Sequence, residues 1–95
     1  MSSLPKISNY GQYSSDNYGA HTLRVDVGNK LTLFYSYETV VAFSDGKNRF
    51  VSQNKWGVTT GKHLNWIDRG NKENRLPYDE FKNKLENYLK ELNLL

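Results

Sequence analysis

Two turn-forming pairs, Gly28-Asn29 and Asp45-Gly46, stand between stretches whose apolar residues recur at every second position, and they constrain this chain more than any other feature. An apolar period of two belongs to a strand with one covered face, and such pairs tolerate the positive φ of tight hairpins. His21, Leu23, Val25 and Val27 alternate with Thr22, Arg24 and Asp26. Gly28-Asn29 then returns the chain into a strand from Lys30 to Ser36, where Leu31, Leu33 and Tyr35 keep the alternation. The run Val40, Val41, Ala42 and Phe43 is unbroken, as expected of a central strand covered on both faces. Asp45-Gly46 leads back into Asn48 to Gln53 with Phe50 and Val51. Residues 20–53 therefore read as an antiparallel β-meander of four strands.

The period changes after Pro77. Phe81, Leu85, Tyr88, Leu89 and Leu92 recur at three- and four-residue spacing, which places them on one face of a helix over 77–92. Pro77 suits the first turn, and Asp79 and Glu80 sit where a helix N-terminus favours acids. The expected class is α+β, with this helix packed across the sheet and Phe81 and Leu85 buried. With 95 residues the chain has interior enough for a single domain. Residues 1–18, rich in Ser, Asn, Gly and Tyr, read as a partly flexible tail that precedes any strand, although Ile7 and Tyr10 can pack. Residues 54–74 read as irregular, because Gly57, Gly61, Thr59 and Thr60 punctuate them. Within that segment Thr60 could cap a short helical turn over Lys62–Ile67 that Gly70 stops. Asn54, Thr60, His63 and Asn65 are expected to hold its shape by bonding mainly to backbone.

Charge is unevenly distributed. The formal net charge is +3, yet residues 46–75 carry Lys47, Arg49, Lys55, Lys62, Arg69, Lys72 and Arg75 against only Asp68 and Glu73. Such a local excess favours an acidic partner, whether nucleic acid or an anionic protein surface. Phe50, Trp56 and Trp66 are interleaved with these cations, and aromatics beside cations can stack bases while phosphates are neutralised. Tryptophans in so small a domain are more often core residues, so at least one is expected to be buried. The chain has no cysteine, which excludes disulfides, thiol nucleophiles and Cys-based zinc sites. It has no apolar run of membrane-spanning length and no apolar leader, so a soluble, intracellular protein is expected.

Three segments carry a resemblance: Tyr18–Leu23 (YGAHTL), Leu31–Tyr37 (LTLFYSY) and Asn54–Asn65 (NKWGVTTGKHLN). They look like a family of small uncharacterised proteins encoded by phages and mobile elements, over residues 10–90. The resemblance implies an accessory or host-manipulating protein acting in the cytoplasm of an infected cell, and it carries over no catalytic residue.

Chemistry is sparse. His63 stands beside Lys62, Asn65 and Asp68 without paired carboxylates, a nucleophile elbow or metal-ligand spacing, so a loop-stabilising hydrogen bond explains it better than catalysis. His21 shares the parity of Leu23 and Val25 and reads as a satisfied histidine at the core edge. Thr59-Thr60-Gly61-Lys62 lacks the first glycine of a phosphate loop and places its hydroxyls before the lysine. The expectation is a non-enzymatic protein without cofactor or metal that binds and modulates a host macromolecular complex. A nucleic-acid-handling or defence nuclease is the expected target, in the manner of an anti-CRISPR inhibitor. The alternative is a sequence-tolerant single-stranded nucleic-acid binder. Arg49, Lys55, Trp56, Lys62, His63 and Arg69 are the candidate contact residues, with Trp56 as aromatic anchor.

Overall fold

The computed structural model describes residues 5–11 and 22–94. Among them, five strands lie side by side in chain order, every neighbouring pair antiparallel: β1 (Lys6–Ser8), β2 (Thr22–Val27), β3 (Leu31–Ser36), β4 (Thr39–Ser44) and β5 (Arg49–Val51). Helix α1 (Val58–Asp68), a 3-10 turn at Lys72–Asn74 and helix α2 (Tyr78–Glu91) follow. The α+β class and the C-terminal helix on the sheet are as the sequence predicts. The strand that the tail contributes is not. Lys6–Ser8 pairs with Arg24–Asp26, and Tyr10 is buried with its hydroxyl donating to the Tyr35 carbonyl. His21 lies outside the described residues.

The turn residues act as expected, with small shifts of boundary. Gly28 takes φ 60° at the head of a three-residue loop closed by the Val27–Leu31 pair. Gly46 takes φ 92° in the β4–β5 loop, where Asp45 Oδ1 accepts from the amides of Lys47 and Asn48 at 2.9 and 2.8 Å. Those two bonds hold the Asp45 carboxyl below its ordinary value of 3.8.

The register explains how the sheet serves two cores. Phe34, Ala42 and Val51 face one side in register, while Leu33, Phe43 and Phe50 face the other. The pairing shifts between Phe34 and Tyr35, leaving Val41 as an extra residue in β4. That bulge lets Val41 and Ala42 join the same core, since an inserted residue breaks the alternation. One core holds Tyr10, Phe34, Val41, Ala42 and Val51 beneath Leu64 and Ile67 of α1. The opposite core joins Leu31 and Phe43 to Phe81 and Leu85 of α2. Each fully buried Phe contributes roughly 1.5–3 kcal/mol, so Phe34, Phe43 and Phe81 anchor both layers.

The existence of α1 corrects the irregular reading of residues 54–74. Thr60, His63, Leu64 and Ile67 are buried at the spacing of one helix face, and two of the four are polar, so the pattern is faint in the sequence. Thr60 is not its cap. The helix starts after Gly57 without a side-chain cap, and Thr60 sits inside it. Gly70 does mark the end: Arg69 and Gly70 both take left-handed φ, 56° and 79°. The predicted buried tryptophan is also corrected. Trp56 is half-buried against the core and Trp66 is 44% exposed, because Tyr10 and Phe34 already fill the space beneath α1. Past β5 the chain doubles back along the sheet edge, where Leu76 N donates to the Val51 carbonyl at 2.8 Å and Gln53 N to the Leu76 carbonyl at 2.7 Å. This return brings Arg75 against Asn65 and Asp68 of α1. No described helix is long and apolar enough to cross a membrane.

Candidate functional site

The β4–β5 loop and the C-terminal end of α1 converge on a cleft of about 540 Å³. Lys47, Asn48 and Arg49 come from the hairpin; Arg69, Asn71 and Asn74 come from the chain after α1. Arg49 is held at the rim by two contacts. Its Nη1 donates to the Ile67 carbonyl at 2.8 Å, near the end of α1 where the helix dipole favours a cation, and its guanidinium lies 5.1 Å from the Phe34 ring centroid. Arg24 approaches the same ring at 5.7 Å.

The electrostatics of the cleft follow from what happens to Asp68, the carboxylate in its lining. Asp68 turns away to Arg75: Nε donates to Oδ2 at 2.6 Å and Nη2 to Oδ1 at 2.9 Å, a two-point pair with side chains only 10% and 4% exposed. Its charge is therefore spent on Arg75. Lys47, Arg49 and Arg69 line the cleft together with three asparagine side chains that can donate or accept hydrogen bonds.

The six residues singled out in the sequence divide in space. Arg49 and Arg69 meet in the cleft. Lys55 and Trp56 instead clasp Tyr78 of α2, with Lys55 Nζ 4.5 Å above the ring and Trp56 edge-on at 5.4 Å. Lys62 is exposed on α1, one turn before Trp66. His63 is completely buried, which removes it from any contact surface. Lys47 and the asparagines Asn48, Asn71 and Asn74 were missed as site residues. For Lys47 and Asn48 the signal was present, because a residue just after Asp45-Gly46 must project from the end of a hairpin.

His63 has a different neighbourhood from the one its sequence context suggests. Its Nδ1 lies 2.7 Å from Ser36 Oγ, which lies 2.8 Å from Thr60 Oγ1. A serine hydroxyl on an imidazole is the beginning of a nucleophile-base pair. Here all three side chains are buried; Ser36 and Thr60 are among the residues lining a concavity of about 290 Å³, but His63 is not, so the imidazole stays out of reach of a molecule seated there. What the cluster does is join α1 to β3 by buried side-chain hydrogen bonds. Of the four residues expected to bond to backbone, Asn54 does so: its Oδ1 accepts from the amides of Trp56 and Gly57, and its Nδ2 donates to the Gly57 carbonyl. Thr60 and Asn65 bond to side chains instead, and His63 Nδ1 meets the Ser36 hydroxyl. Among the described residues no three His, Cys, Asp or Glu side chains are grouped as a metal site.

A family model described as a family of unknown function (DUF8033) matches residues 5–83, from β1 into the first turns of α2, and the chain belongs to that family. No curated protein matches the chain. No solved structure matches it either.

Proposed function

We propose that this member of a family of unknown function is a non-enzymatic binding module that docks its Lys47, Arg49 and Arg69 cleft on an acidic surface of a larger macromolecular complex. In its finer form, the proposal is a phage or mobile-element accessory protein that modulates a host nucleic-acid-handling or defence nuclease in the cytoplasm. The observation that carries it is the cleft itself: three cations and three asparagines in one concavity whose lining carboxylate is committed to Arg75. Such a surface speeds encounter with an anionic partner and rejects cationic ones. The complete burial of His63, which is not among the residues lining the concavity beside Ser36, supports the non-enzymatic part.

A second reading, direct binding of single-stranded nucleic acid, is favoured by Trp66. That ring is exposed between Lys62 and Arg69 in sequence and packs 5.7 Å from Tyr10, a platform on which a base could stack. The two readings separate in one experiment. The protein is used to capture partners from host lysate with and without nuclease, alongside the variant Lys47→Glu/Arg69→Glu, which leaves the Arg49 anchor intact. The main reading expects a nuclease-resistant partner whose affinity falls at least about tenfold in the variant, or roughly 1.4 kcal/mol. Undiminished binding by the variant would remove the cleft from consideration. Tight, steeply salt-dependent binding to naked single strands that Trp66→Ala weakens would favour the second reading.

A further inference from the structure

A second concavity, about 400 Å³, is lined by Gln53, Asn54, Gly61, Asn65, Lys72 and Arg75. We propose that this pocket binds a phosphate group. Arg75 supplies its principal donor. A guanidinium has five N–H donors. Nε and Nη2 serve Asp68 and Asn65, at 2.6, 2.9 and 3.0 Å, whereas Nη1 hydrogen-bonds to no group among the described residues. The side chain is only 4% exposed, and buried donors ordinarily find an acceptor. No carboxylate lines the pocket, and Lys72 adds a second cation that forms no ion pair among the described residues. Asn65 gives its Oδ1 to Arg75, which leaves its amide nitrogen as a further donor beside Gln53.

Two other features describe a shaped pocket. Gly61 stands inside α1, where glycine is a poor helix former, and a Cβ there would come within 3.0 Å of Asn54 Nδ2. The wall is thus kept bare of a side chain. The donors also outnumber the two oxygens of a carboxylate, while a phosphate group brings three acceptor oxygens and more negative charge. Phosphate therefore fits the set better.

The test titrates the intact protein with inorganic phosphate, with acetate and with chloride at matched ionic strength, following the Arg75 Nε–H and Asn65 side-chain resonances by NMR. A saturable phosphate response with Kd on the order of 1 mM is expected, at least about tenfold tighter than acetate. Lys72→Ala should weaken it about threefold or more by loss of a charge-assisted donor. Asn65→Asp keeps the acceptor for Arg75 and adds a negative charge, so it should abolish the response in a folded protein. A non-saturating shift equal to that of chloride, acetate binding as tight as phosphate, or both variants retaining full affinity would each overturn the assignment. The cleft variant Lys47→Glu/Arg69→Glu should bind phosphate here as the parent does, so the two sites fail or succeed separately.

Discussion

Replacing Asp68 by Ala should be among the most costly single changes in this protein. Arg75 is fixed against Asp68 by two hydrogen bonds of 2.6 and 2.9 Å, with side-chain exposures of 4% and 10%. Deleting the carboxylate leaves a guanidinium only 4% exposed with Asn65 as its one acceptor among the described residues, and breaking one partner of a buried pair costs about 3–5 kcal/mol. Arg24 and Asp26 provide the internal control. That pair has a similar separation, 3.1 Å, but its side chains are 42% and 28% exposed, so solvent screening limits Arg24→Ala to about 1 kcal/mol or less. Urea unfolding monitored by circular dichroism reads both. With a slope of about 1–3 kcal/mol per molar urea, Asp68→Ala should lower the midpoint by roughly 2 M, against about 0.5 M for Arg24→Ala. The double replacement Asp68→Leu/Arg75→Met should recover most of the loss, because what is costly is the orphaned charge rather than the missing bond. Equal midpoint shifts for Asp68→Ala and Arg24→Ala would refute the burial reasoning.

Leu85→Ala should cost about 2–4 kcal/mol in the same unfolding assay, since it empties a site between α2 and the Leu31–Phe43 layer; a loss under about 0.5 kcal/mol would mean the helix is not docked. Gly46→Ala should cost at least about 1 kcal/mol, because φ is 92° and the new Cβ would meet the Asn29 carbonyl oxygen at 2.8 Å; an unchanged Tm would show that the two hairpin loops do not touch. Asp45 should titrate below 3.8, held there by the amides of Asn48 and Lys47, as carboxyl NMR would report. Because the folded value is the lower one, its stabilising contribution is present above 3.8 and is lost as pH falls through that depressed value; Asp45→Asn should remove this dependence.

The sheet was legible because its signals are local. Gly28, Asp45 and Gly46 specify turns through their own backbone and side-chain preferences, and Leu23, Val25 and Val27 declare one face by parity alone. The turn between β3 and β4 was less legible, since Tyr37 takes φ 56° there and nothing in a tyrosine announces it. Helix α1 was hidden for a related reason: its inward face uses Thr60 and His63, which count as polar until Ser36 arrives from β3 to satisfy them. The site was half legible. The excess of cations in 46–75 is a property of composition, but whether Arg75 is a surface charge or a buried partner of Asp68 depends on where the chain returns along β5.

The sequence by itself thus determined the antiparallel meander, the C-terminal helix and the sign of the charge, because turn preference, hydrophobic period and formal charge act over a few neighbouring residues. Tertiary structure alone decided that α1 and α2 take opposite faces of the sheet, that Val41 breaks the alternation, and that Arg49 and Arg69 share a cleft while Lys55 and Trp56 do not. These outcomes depend on contacts between residues far apart in the chain. Burial of the Asp68–Arg75 pair is of the same kind: it sets both the charge left in the cleft and the donors left in the second pocket, and only the folded chain brings the two residues out of water together.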